Sequence, residues 1–348
     1  MRTTVTAAIQ SLVAVLGLSL FCAAAAQSPA VSPQEADQAK DQAARQVTQP
    51  LNNAPVWKEI RSGEKQYTST VGRETNVLIQ PQGQTWRALR DGQIAVYGGW
   101  ALVVLFLVVL AFYMWKGTLQ MHAPPTGRKI ARFSLWERSV HWTTAISFIV
   151  LAISGIIILF GKSVFLPLIG YTLFSWLAAL AKNLHNFVGP LFCVSVFILL
   201  LTFVRDNFWR SYDMLWFRKF GGLFSGQDVP SGRFNAGEKA WFWGGALFLG
   251  LIVSVSGLVL DFPNFNQTRL TMQIANVVHA TGAILFMLGA IGHIYMGTLG
   301  MAGALDAMKT GYVDETWAKE HHEYWYNDVR SGRVEGEGSA TGVRQPAV

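Results

Sequence analysis

Two histidines define the chemistry open to this chain. His279 and His293 share one apolar stretch, Met272 to Gly300, and stand fourteen residues apart. On a helix that separation is ~21 Å along the axis, and the two rings point within ~40° of each other. A bilayer core is ~30 Å thick, so one ring falls near each leaflet. Imidazoles on one face of a membrane helix, one per leaflet, suit a pair of stacked haems that carry electrons across the membrane.

Such residues need a membrane around them, and the composition provides for it. Apolar residues make up 51% of the chain and charged residues only 14%. That is too apolar for an ordinary soluble domain, and the apolar residues come in long blocks. Five blocks are long enough to span. They run at Ile94–Trp115, Leu135–Phe160 with His141 near its start, Trp176–Val204 with His185, Ala240–Leu260, and the His279–His293 block. Pro190 predicts a kink in the third. Val164–Leu173 is too short to cross and reads as an interfacial segment. The net charge of +7 comes from basic residues between the blocks, which points to membrane orientation rather than to nucleic acid.

Those basic residues set the topology. Lys116, Arg128, Lys129, Arg132 and Arg138 lie between the first and second blocks. Arg205, Arg210, Arg218, Lys219, Arg233 and Lys239 lie between the third and fourth. The opposite loops hold only Lys162, Lys182 and Arg269. The basic loops belong in the cytoplasm. His141 then lies at the depth of His293, and His185 at the depth of His279. Two imidazoles from facing helices give the six-coordinate ligation of an electron-transfer haem, with no position open to oxygen. A lone membrane histidine is more often a buried polar group bonded to a neighbouring backbone. A proton relay is a further use of ionisable residues in a membrane, and a haem-free anchor or transporter is the reading that goes with it. A di-metal centre lacks the carboxylates that bundle sites use. His122, in a basic loop, and His321 and His322, in the polar tail, read as solvated or partner-facing.

The N-terminus reads as a signal segment. Arg2, the apolar run Val5–Phe21 and Ala24-Ala25-Ala26 point to cleavage after Ala26, with a retained first membrane helix as the alternative. Residues 27–92 form a periplasmic extension, Ala/Gln/Pro-rich and poorly ordered to Asn53, then carrying Trp57, Tyr67, Val77-Leu78-Ile79 and Trp86. That second part reads as a small strand-containing unit or a strap. Cys22 and Cys193 support neither a disulfide framework nor a cysteine metal site.

Five motifs carry a family resemblance: RSVHW (138–142), LHNFVG (184–189), FNAGEKAWFW (234–243), VHATGAILFMLGAIGHIYM (278–296) and WAKEHHEYWY (317–326). Together they resemble the cytochrome b gamma subunit of membrane-bound formate dehydrogenases, over about residues 133–326. The N-terminal part resembles the longer form of that family. The resemblance implies an all-α integral membrane protein of the bacterial inner membrane. Its fold is a dihaem cytochrome b bundle of four core transmembrane helices (133–300), one extra N-terminal transmembrane helix (93–116) and a cytoplasmic tail (301–348).

The resemblance also implies partners and sites. A molybdenum- or tungsten-containing subunit oxidises formate in the periplasm, and an iron–sulfur subunit delivers the electrons. His185 and His279 are expected to ligate an outer haem b, and His141 and His293 an inner one. A quinone is expected beside the inner haem at Asn235, Ala236 and Gly237. Asparagine offers a hydrogen bond to a quinone carbonyl and glycine a close backbone approach. The bland alternative is that Asn235 caps the fourth block, and Glu238 stands where some members carry Gln. Arg138 and Arg205 are candidate haem-propionate partners, or ordinary positive-inside anchors. A dihaem subunit of a hydrogenase or thiosulfate reductase is the related alternative.

Overall fold

The computed structural model describes residues 82–223 and 225–333, with scattered positions between Asp37 and Ser62. The expected signal segment, most of the extension and the last tail residues lie outside the described residues.

Four helices are long and apolar enough to cross a membrane. The first, α1, is Gln82–Lys116. It begins well before Ile94, so residues 82–92 are helical. Helix α2 covers Leu135–Phe203 and contains two expected spans in one run. The chain breaks only at Gly170, whose φ of +75° and ψ of 172° are open to glycine at little cost. Pro190 lies inside the second arm with helical backbone angles. Val164–Leu173 is helical up to the Gly170 break and joins the two arms of α2.

The second arm ends in a tight turn, followed by the short helix α3, Asp213–Arg218. Helix α4, Ala236–Asp261, and helix α5, Arg269–Gly300, complete the four. Large apolar side chains on these helices face outward, among them Val104, Leu107, Ile146, Ile153, Leu201 and Leu285. That pattern suits a lipid solvent, where apolar exposure costs nothing.

Contacts divide the chain into two units. The smaller holds the chain up to Arg87 together with Val259–Asn276. Within it, the Trp86 indole N–H donates to Asn276 Oδ1 at 3.2 Å. The larger holds Ala88–Leu258 and everything from Val277 onward.

In the larger unit the tail is not a solvated appendage. Strand β1, Lys129–Ala131, pairs antiparallel with β2, Tyr312–Asp314, with Ile130 opposite Val313. Helices α6 (Ala304–Thr310) and α7 (Glu315–His321) pack on β2, and α8 (Glu323–Arg330) packs on α7. Val313, Trp317, Ala318 and Trp325 share one buried cluster with Phe133, Val140, Phe203 and Phe242. Gly311 closes α6 at φ +91°. A Cβ there would sit 2.7 Å from the Phe133 carbonyl oxygen, so glycine is needed.

Ion pairs bind this region together. Ser134 and Glu137 form a reciprocal cap at the start of α2, as Asn235 and Glu238 do for α4. Arg233 pairs with Glu137 at 2.8 Å and with Asp206 at 2.6 Å. Arg132, 4% exposed, pairs with Glu238 at 3.1 Å. Lys239 and Asp213 form a buried pair at 2.8 Å. Basic residues that the sequence offers as loop anchors are therefore partly internal, each with a carboxylate partner, as burial of charge demands.

Candidate functional site

The four histidines meet in two pairs. His141, on the first arm of α2, faces His293 on α5, with ring centroids 6.3 Å apart and planes at 59°. His185, on the second arm of α2, faces His279 on α5 at 5.9 Å and 80°. A metal ion between two imidazole nitrogens sets a centroid spacing of ~6.2 Å, from two ~2 Å metal–nitrogen bonds and ~1.1 Å from each nitrogen to its ring centre. Both pairs lie within a few tenths of an ångström of that value. Edge-to-face ring contacts share this range of spacing, so the ligation reading draws also on what holds the far side of each ring.

Those far sides are engaged. His185 Nδ1 lies 2.9 Å from Ser154 Oγ. Because Ser154 donates its hydroxyl to the Val150 carbonyl at 2.7 Å, its oxygen accepts from the imidazole N–H. His279 Nδ1 donates to the Val253 carbonyl at 3.0 Å, with Ser256 Oγ at 3.2 Å. A proton fixed on Nδ1 leaves Nε2 as the unprotonated, ligating nitrogen. Each serine is followed by a glycine that admits the ring. A Cβ on Gly155 would lie 3.4 Å from His185 Cε1, and one on Gly257 3.1 Å from His279 Cε1. Ser154 and Ser256 are functional candidates that reading the sequence missed. The repeated dipeptide, Ser154-Gly155 and Ser256-Gly257, was the available signal.

The other pair is held differently. Trp241 stacks on His293 with centroids 5.0 Å apart and planes at 14°. Its indole needs the space at Gly289, where a Cβ would approach to 2.6 Å. Trp241 also opens a widely wound π-helical stretch of α4, Trp241–Leu249. Single π turns occur often at functional sites. His141 Nδ1 and Arg138 Nε are buried without a hydrogen-bond partner. Two orphaned polar atoms one helical turn apart fit a site that takes a polar group from elsewhere.

The remaining sequence candidates divide. The Arg138 guanidinium donates to the Lys309 carbonyl at 3.0 Å, while Arg205 is exposed in the turn after α2. Asn235 is the N-cap of α4: its Oδ1 accepts from the Glu238 N–H at 2.9 Å. Ala236 is fully buried. The tight approach at Gly237 is to the Trp216 ring, which a Cβ there would meet at 2.6 Å. Glu238, of uncertain role in the sequence, closes the cap and pairs with Arg132.

The expectation that His321 and His322 are solvated is corrected. His322 is 1% exposed, and its Nδ1 donates to the Gly232 carbonyl at 2.7 Å. Burial, and then the Arg132 charge, holds its pKa well below the ordinary histidine value. His321 is mostly buried beside Trp317, at 5.3 Å between centroids. Both are drawn in because α7 packs its apolar face on the Phe133–Trp317 cluster. His122 stays exposed, as expected.

An apolar helical bundle with facing imidazole pairs inside it is the architecture of an integral membrane b-type cytochrome. Residues 132–311, just over half of the chain, match the family described as prokaryotic cytochrome b561, and the chain belongs to that family. Among curated relatives, the formate dehydrogenase cytochrome b556(fdo) subunit of Escherichia coli K12 is 32% identical over 210 residues. That match covers 58% of this chain and 93% of the relative. The nitrate-inducible formate dehydrogenase cytochrome b556(Fdn) subunit of the same strain is 27% identical over 222 residues, covering 60% and 96%. The formate dehydrogenase cytochrome b556 subunit of Haemophilus influenzae is 25% identical over 219 residues, covering 60% and 86%.

Proposed function

We propose that this chain is the cytochrome b subunit of a membrane-bound formate:quinone oxidoreductase and holds two b haems, one per imidazole pair. The observation that carries the reading is the ring spacing of 5.9 and 6.3 Å in the two pairs. The relatives' names supply the reaction. Haem b would be held there by His185 with His279 and by His141 with His293, and would supply reversible one-electron exchange.

The chain's own residues prepare these sites. His185 and His279 present Nε2 because Ser154 and the Val253 carbonyl hold Nδ1–H. Trp241 fixes the plane of the His293 ring. Arg138, with its unpartnered Nε, offers a donor to a haem carboxylate near His141, and Arg205 is the second candidate on that side. At the quinone site, Asn235 Oδ1 is committed to the cap, so Nδ2 is the group offered to a quinone carbonyl. Ala236 and Gly237 line the same helix start.

The partners in this reading are an iron–sulfur subunit and a molybdenum- or tungsten-containing subunit that oxidises formate. The setting is the bacterial inner membrane, with α1 as an added fifth span. The N-terminal extension is periplasmic and the tail after Gly300 cytoplasmic. Loop basic residues that stay exposed, such as Arg128, Lys129, Arg205 and Arg218, support that orientation. Electrons then move inward against a potential of ~2.3 kcal/mol per charge per 100 mV. Turnover is electrogenic.

The test is isolation of the intact complex from membranes. Formate should reduce b haem, at two per chain, and should drive quinone reduction that generates a potential in sealed vesicles. Absence of haem, or co-isolation with hydrogen- or thiosulfate-converting subunits instead, would overturn the proposal. Turnover without a potential would refute the electrogenic part alone.

A further inference from the structure

Outside the helical bundle, three distant stretches of chain bring ligand atoms to one point. His122 Nδ1 lies 3.1 Å from Asp228 Oδ2 and 3.7 Å from Glu320 Oε2. The three ligating atoms all fall within 4.8 Å of one another. His321 Nδ1 approaches the other Asp228 oxygen at 3.9 Å. The groups come from the loop after α1, the loop before α4, and α7. All belong to the larger unit.

A surface ion pair accounts for only part of this. A single ring nitrogen has one proton to give, yet two carboxylates converge on His122 Nδ1. Two carboxylates gathered on one side of one nitrogen repel each other, and a divalent cation between them neutralises both where a single imidazolium neutralises one. Glu320 is also fixed rather than free. Its Oε2 accepts the His122 backbone N–H at 3.0 Å and its Oε1 the Ala123 backbone N–H at 2.8 Å. Its side chain is 10% exposed, so a carboxylate held this way cannot simply swing into solvent. Those bonds use one lone pair on each oxygen and leave others to ligate.

The spacing also suits a metal. Tetrahedral coordination with bonds of ~2.0–2.1 Å puts neighbouring ligand atoms ~3.3–3.4 Å apart. The observed 3.1 and 3.7 Å lie on either side of that edge. One imidazole and two carboxylates form a nitrogen–oxygen donor set suited to zinc and similar divalent ions. The two carboxylate charges neutralise the ion.

We propose that His122, Asp228 and Glu320 bind one divalent transition-metal ion, zinc in the first instance. His321 stands beside Asp228 at the edge of the site, and the fourth position is open to water. The ion ties the two basic loops to α7, and so fastens the folded tail to the mouth of the bundle. The site stands independently of what the imidazole pairs hold.

The test uses the full-length chain with its haem, purified through a tag without histidine, stripped with a chelator and titrated calorimetrically with Zn2+. One saturable equivalent is expected. His122→Ala and Asp228→Asn should each lower the affinity at least ~10-fold, with the haem absorption spectrum unchanged as the check on folding. Zinc-edge X-ray absorption should show a first shell of nitrogen and oxygen containing imidazole. No saturable binding, or binding that both variants retain at wild-type affinity, would overturn the proposal.

Discussion

The Trp241 indole lies face to face with the His293 imidazole, 5.0 Å between centroids and 14° from parallel. His293 is thereby held in plane by a ring from α4, whereas His185 and His279 are held by hydrogen bonds. Trp241→Leu removes the stack, a contact of ~0.5–1.5 kcal/mol beyond its buried area. With a haem at each imidazole pair, as proposed, the electron paramagnetic resonance signal of the one at His141–His293 should shift, and that of the other should not. An unchanged signal would show that the stack does not set the ring plane.

His185→Ala and His293→Ala each remove one member of a pair. Each variant should bind one haem in place of two and lose electron flow to quinone. Haem extraction quantified against protein reads the stoichiometry, and retention of both haems in either variant would break the assignment.

Ser154 and Ser256 are not equivalent. His185's shortest Nδ1 contact is to the Ser154 side chain at 2.9 Å, while His279's is to the Val253 backbone at 3.0 Å, which no substitution removes. Ser154→Ala should weaken haem retention ~10–100-fold and Ser256→Ala much less. Among the glycines the order reverses. Gly257→Ala should be worse than Gly155→Ala, because its Cβ comes to 3.1 rather than 3.4 Å of the ring. Haem loss on dilution into apomyoglobin measures both series.

Asp213→Ala leaves the Lys239 ammonium buried without its carboxylate, since both side chains are under 5% exposed. Breaking one partner of such a pair costs ~3–5 kcal/mol. The double variant Asp213→Ala/Lys239→Met should recover most of it. Thermal denaturation followed by haem absorbance checks the order; equal losses in single and double variants would contradict it.

Acid should loosen the tail before the bundle. Burial alone would raise the Asp314 carboxyl, but N–H bonds from Thr316, Thr126 and Gly127 outweigh it and hold its pKa below 3.8. Glu315 is held below 4.5, first by the Tyr326 hydroxyl and also by Arg128. Depressed carboxyls stabilise the fold above their ordinary values, and the contribution is lost as pH falls through the depressed ones. Amide exchange at β1 and β2 should therefore quicken as pH drops below about 4, after correction for the intrinsic rate. Asp314→Asn should flatten that dependence.

Much of this architecture is legible in residue order. Backbone in hydrocarbon must bond internally, so long apolar runs become helices. A fixed rise per residue then turns positions in sequence into depths, which is why His141 could be matched with His293 and His185 with His279. What neighbours each ring could not be read that way. Ser154 and Val253 meet His185 and His279 through packing between helices, and side-chain partners across helices leave no periodic trace. The same holds for the tail. WAKEHHEYWY looks polar and solvated, but Trp317 and His322 are buried because α7 docks on Phe133, far away in sequence. Local composition fixes the elements and their depth, because one solvent imposes them; long-range contacts choose the partners, because only the assembled bundle brings them within reach.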